Sequence, residues 1–177
     1  MSKIIFLNGV TSSGKTSIAK AIQKMATEHF YHISNDMFHN LQWEMACPQH
    51  AKHEDTRSFV ENAHTAESIV FMYHHASTSA SYGKNIIVDG MLFETAAFVE
   101  QFGKTSCEML RHIFAEQSIF MVEVFCPLAE CKRRNILRGD RHENQSHKQD
   151  MIMNKTVKYD FRVDTSVDST ETCAKKS

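Results

Sequence analysis

The chain has 177 residues, 42% of them hydrophobic and 23% charged, which suits one globular α/β domain and excludes both a disordered chain and a second full domain. Its 20 Lys and Arg stand against 21 Asp and Glu, a net charge of −1, so no overall field exists for gripping a nucleic-acid backbone. Any anion site has to be local and built by geometry.

Five cysteines, odd in number and without a C-x-x-C pair, predict neither a disulfide framework nor a zinc ribbon. The longest apolar stretch, 118–127, contains Glu123, so no segment is expected to cross a membrane. The short apolar start runs straight into glycine-rich sequence rather than a cleavage site, and the expected compartment is the cytoplasm.

The first apolar run, Ile4-Ile5-Phe6-Leu7, is too short for a helix and reads as a strand buried on both faces. Directly after it comes Gly9-Val10-Thr11-Ser12-Ser13-Gly14-Lys15-Thr16, a full match to G-x-x-x-x-G-K-[ST]. Ser17 continues it into helical spacing over 15–27. The glycines let the backbone curl until successive N–H groups point into one concavity, and the following helix adds the positive end of its dipole. A phosphate fits there. Lys15 is expected to reach the β/γ oxygens of ATP as a catalytic cation, and the Thr16 hydroxyl to ligate Mg²⁺.

Tyr31-His32-Ile33-Ser34 is a weaker second strand, and Asp36 stands just past it, ahead of a helical segment over 37–45. In an open α/β sheet this strand end faces the crevice beside the phosphate loop. A carboxylate there can accept the proton of an acceptor hydroxyl, and Asp36 is the candidate catalytic base. Capping the next helix is a compatible second role.

A polar stretch over 49–55 leads to helical spacing over 57–82, then to the strand Ile86-Ile87-Val88. Asp89 ends that strand, either as the second Mg²⁺ ligand or as a turn residue before Gly90. Helical spacing resumes over 95–117, and Phe71, Met72, Phe98, Phe102 and Phe114 read as core. A strand over 119–125 and a helix over 128–138 follow, then a polar stretch over 139–149 and a short last strand over 161–163. Strands alternating with helices predict a five-stranded parallel sheet with helices on both faces, in one P-loop NTPase domain over 1–177.

Lys132, Arg133, Arg134, Arg138 and Arg141 form the dense basic cluster. Arg134, Arg138 and Arg141 share one helical face if the helix runs that far, and guanidinium groups suit polyphosphate because they bind bidentately and stay charged. These three are assigned to the nucleotide, with a mobile lid over about 134–150. A solvated basic face is the alternative. The eleven histidines, including His50-x-x-His53 and His74-His75, have no Cys or carboxylate at a regular ligand spacing, so surface or core positions are expected rather than a metal centre.

Together these residues resemble the chloramphenicol phosphotransferase-like family of small P-loop kinases over nearly the whole chain. The resemblance rests on Ile4-Ile-Phe-Leu-Asn-Gly-Val-Thr-Ser-Ser-Gly-Lys-Thr-Ser17, Ile86-Ile-Val-Asp89, Arg138-Gly-Asp-Arg141 and Tyr159-Asp-Phe-Arg-Val-Asp-Thr-Ser166. It implies ATP-dependent O-phosphorylation, an adenylate-kinase-like sheet, Asp36 as the base, and a lid that includes Arg138 to Arg141. Two positions depart from the pattern. Gly90 replaces a second acidic residue after the strand aspartate, and Asn154 stands where a histidine is expected.

The leading expectation is transfer of the γ-phosphate to a hydroxyl of a small molecule, as chloramphenicol 3-O-phosphotransferase does. A nucleoside or nucleotide kinase shares the same core. An effector or toxin kinase acting on protein or RNA, and a regulator that binds nucleotide without transfer, are the other classes. Asp36 separates the last of these, since a pure switch needs no base in the acceptor crevice.

Overall fold

A computed structural model describes residues 2–38, 63–139 and 143–177. Its strands are β1 (Ile4–Asn8), β2 (Phe30–Ser34), β3 (Asn85–Gly90), β4 (Ile119–Phe125) and β5 (Phe161–Asp164), all parallel, in the order β2-β3-β1-β4-β5. The helices are α1 (Lys15–Met25), α2 (Ala63–Ser81), α3 (Ala96–Phe102), α4 (Ser106–Ile113), α5 (Leu128–Arg138), α6 (Gln145–Ile152) and α7 (Thr170–Lys176). The five strands expected from the sequence are all present.

Strand side chains alternate between faces, so each central strand feeds two cores. Ile4, Phe6, Ile86 and Val88 pack with α2, α3 and α4 around Tyr73, Phe93 and Phe98. Leu7, Ile87, Val122, Val124 and Val163 pack on the other face against Ile18, Ala19 and Ile22 of α1 and Cys173 of α7. Each such residue removed from water contributes roughly 1.5–3 kcal/mol of transfer free energy. Because α1 leaves β1 toward one face and α3 and α4 follow β3 on the other, a crevice opens between the carboxyl ends of these adjacent strands.

Two expectations need correction. The helical stretch over 95–117 is two helices: Gly103 takes φ 65 and ends α3, and Thr105 with Glu108 forms a capping box that starts α4. Phe71, assigned to the core, is 58% exposed. The buried stripe of α2 runs through Ile69, Met72, Tyr73, Ala76 and Ala80, and helical geometry turns Phe71 away from it. Within the polar stretch over 139–149, Gln145 begins α6, and Ser146 and Gln149 are buried.

Of the helical segment expected over 37–45, residues 37 and 38 are helical, in a turn that starts at 35. The remainder of that segment, the polar stretch over 49–55 with His50 and His53, and Arg141 lie outside the described residues. His74 and His75 are exposed on α2. Cys107, Cys126, Cys131 and Cys173 are free and buried, and burial pushes the Cys131 thiol up to about 12.

Candidate active site

The glycine-rich segment forms a tight loop between β1 and α1. Gly14 has φ 106, the left-handed region that glycine occupies without strain, and a Cβ there would lie 3.1 Å from the Thr165 methyl group. Gly9 is held even more closely, because a Cβ on it would meet the Val124 carbonyl oxygen at 2.5 Å. Lys15 extends from the first turn of α1 and folds back over the loop. Its ammonium donates to the carbonyls of Gly9 at 2.8 Å and Val10 at 2.9 Å, and lies 3.9 Å from Asp89 Oδ1.

Across the crevice, the Thr16 hydroxyl donates to Asp89 Oδ2 at 2.6 Å, and His32 Nε2 lies 3.4 Å from the same oxygen. Burial works to raise the Asp89 carboxyl, but the His32 contact, the Lys15 charge and the Thr16 hydrogen bond outweigh it and hold it below its ordinary value of 3.8. A depressed carboxyl stabilises the fold above the ordinary value, and that contribution is lost as pH falls through the lowered one. One hydroxyl and one carboxylate oxygen are a donor set that suits Mg²⁺, which keeps several waters and takes its other oxygens from phosphate. No group of three or more metal-binding side chains occurs among the described residues.

Asp36 lies on the rim of the same cavity, beyond the end of β2. At the start of the helical turn that carries it, Ser34 Oγ accepts the Met37 N–H at 3.3 Å. Beside Asp36, Asn35 is buried, its Oδ1 has no hydrogen-bond partner among the described residues, and it too lines the cavity. The sequence offered no sign of Asn35 beyond its place at the strand end.

The basic cluster divides into separate roles. Arg134 donates to Ser12 O at 3.3 Å, Thr165 Oγ1 at 3.0 Å, Thr165 O at 2.9 Å and Glu130 Oε1 at 2.9 Å. Thr165 in turn donates its hydroxyl to Ser13 O at 2.7 Å. Arg134 therefore clamps the phosphate loop to the end of β5 while still lining the cavity. Arg138 lines the cavity one turn later, whereas Arg133 turns outward to Glu130 and Lys132 pairs with Glu143. Arg134→Lys keeps the charge but loses the forked donors, so we expect about 1–2 kcal/mol of destabilisation. Urea unfolding measures this, and an unchanged midpoint would contradict the clamp.

Both departures from the family pattern have a packing reason. A Cβ on Gly90 would meet the Phe6 ring at 3.0 Å, so the core fills the space an acidic side chain would take. Gly90→Asp is expected to cost on the order of 3 kcal/mol through overpacking and an unpaired buried charge, readable as a fall in melting temperature. Asn154 donates to Glu94 Oε1 at 2.6 Å and accepts the Thr156 N–H at 2.7 Å. It ties the segment after α6 to the one after β3.

The cavity enclosed by these residues measures about 460 Å³, and Lys15, Thr16, Asp36, Asp89, Arg134 and Arg138 all line it. A family model described as chloramphenicol phosphotransferase-like protein matches residues 2–176. A Mycobacterium tuberculosis protein provisionally named an O-phosphotransferase is 24% identical, over 93% of this chain and 75% of that one. The Mycobacterium tuberculosis APS kinase in complex with AMPPNP and APS superposes with a TM-score of 0.67 at 19% identity, over 98% of this chain and 94% of its own. The shikimate kinase of Acinetobacter baumannii, in complex with shikimate, gives a TM-score of 0.62 at 12% identity, over 99% of this chain and 88% of its own. The fold is that of the P-loop kinases.

Proposed function

The chain belongs to the chloramphenicol phosphotransferase-like family, and on that premise we propose that it transfers the γ-phosphate of ATP, with Mg²⁺, to a hydroxyl of a small molecule. The observation that carries this reading is one cavity lined both by the phosphate loop and by the Asp36 carboxylate. A nucleotide-binding regulator would need only the first of these.

In this reading the backbone N–H groups of the loop cradle the β-phosphate, and Lys15 leaves the Gly9 and Val10 carbonyls to reach the β/γ oxygens. Thr16 and Asp89 would hold Mg²⁺, which would supply positive charge against that building on the phosphates. Asp36 takes the proton of the acceptor hydroxyl as its oxygen bonds to phosphorus and ADP departs. The AMPPNP bound by the APS kinase supports an adenine nucleotide as donor.

The test is phosphate transfer from radiolabelled ATP to pooled hydroxylated metabolites, antibiotics and nucleosides. A labelled product that Lys15→Ala fails to make supports the reading. Tight Mg-ATP binding with no transfer to any hydroxyl would favour a regulator instead.

A further inference from the structure

Besides Asn35, the lining of the cavity includes a second buried polar side chain with no part in the reading above. Gln149 lies on α6, is 8% exposed, and accepts the Thr11 backbone N–H on its Oε1 at 2.5 Å. A backbone N–H can only donate, so the amide atom facing it must be oxygen. The orientation of the whole amide follows, with the NH₂ at the other end. Among the described residues no carbonyl or carboxylate takes an Nε2 hydrogen.

Thr11 is the third residue of the phosphate loop, and its N–H is occupied by Gln149 rather than free for a ligand. The amide carries that donor one bond outward. A carbonyl oxygen that accepts a hydrogen bond also polarises its amide, making the NH₂ a stronger donor. Lys15, Arg134 and Arg138 line the same cavity, so an anionic oxygen is the partner that matches. In the kinase reading the β-phosphate would take the loop amides next to α1, at the positive end of the helix dipole. Thr11 lies in the first half of the loop, away from α1, on the side that this leaves for the phosphate beyond the β position.

We propose that Gln149 binds the terminal phosphate of a nucleoside triphosphate through Nε2, with Oε1 anchored on Thr11 to hold the amide in that direction. The assignment rests on the kinase reading. During transfer the charge spreads over the equatorial oxygens of the moving phosphoryl group, so a donor fixed there acts on the reacting atoms themselves.

The competing role is a strut that uses Oε1 alone, and Gln149→Glu separates the two. Glutamate keeps an oxygen for the Thr11 N–H but replaces the NH₂ by an anionic oxygen facing the phosphate. A strut survives this change and a phosphate donor does not. Calorimetric titration with Mg-AMPPNP and with Mg-ADP needs no knowledge of the acceptor. Gln149→Glu is expected to lose about 10- to 100-fold in AMPPNP affinity, as for a hydrogen bond to a charged group, with ADP affinity changed by less than about threefold. Gln149→Leu, which keeps most of the volume without charge or hydrogen bonds, should lose roughly tenfold for AMPPNP alone. It gives the same comparison should the glutamate variant fail to fold.

Wild-type affinity of Gln149→Glu for AMPPNP would make Gln149 a strut. Equal losses for both nucleotides would overturn the terminal-phosphate assignment. A wild-type protein that binds neither nucleotide would remove the kinase reading and this proposal with it.

Discussion

Lys15→Ala is expected to abolish measurable phosphate transfer and weaken Mg-ATP binding, with the fold intact. The ammonium is largely withdrawn from water, donates to the Gly9 and Val10 carbonyls and lies 3.9 Å from the Asp89 carboxylate, at the mouth of the phosphate loop. In a site of low effective dielectric, removing such a donor costs roughly 10²–10³ in rate. Transfer and nucleotide affinity measured side by side, with circular dichroism as the folding control, check this. Near-normal turnover by a folded Lys15→Ala protein would remove the phosphate-loop assignment.

Asp36→Asn should separate binding from chemistry. Asparagine keeps the size of the side chain, and the adjoining helix retains its Ser34 cap, so folding and ATP affinity are expected to survive. The amide cannot take a proton, and loss of a general base typically costs about 10²–10⁴ in rate. Asp89→Asn should behave differently. It removes the carboxylate that faces Thr16, His32 and Lys15 together, so the Mg²⁺ requirement should rise and high Mg²⁺ should restore part of the activity. Transfer titrated against Mg²⁺ for both variants distinguishes them. If excess Mg²⁺ rescued Asp36→Asn as well, Asp36 would belong to the metal and the base would lie elsewhere.

The parts of the site that could be read from the sequence are contiguous in it. The loop at Gly9 to Thr16 announces itself because every donor comes from one short stretch with fixed spacing. Asp89 was legible for a related reason, since a parallel sheet brings strand ends to one edge and the chain marks each end with a change from apolar to polar. Gln149 gave no signal. It is one polar residue in a polar stretch, and its meaning comes from a hydrogen bond to Thr11, 138 positions away in sequence. Arg134 was found as a cation, but its bonds to Ser12 and Thr165 could not be foreseen, because basic clusters look alike whether they meet solvent, phosphate or backbone carbonyls. Phe71 was misplaced because a helix rich in apolar residues hides which face is inward until its neighbours are known. His32 escaped notice among eleven histidines, none at a ligand spacing.

The bond from Thr165 to Ser13 spans 152 positions, and its consequence is temporal. The phosphate loop is synthesised before the residue that braces its floor has been made. At about 5–20 residues per second, synthesis separates the two by roughly 8–30 s. During that interval the loop lacks both Thr165 and the Arg134 contacts that Thr165 receives, so a nascent chain should not hold nucleotide. In the proposed reading, ATP capture would then report that β5 has been added to the sheet. Ribosome-bound chains stalled before and after residue 165 emerges from the exit tunnel should differ in their retention by immobilised ATP.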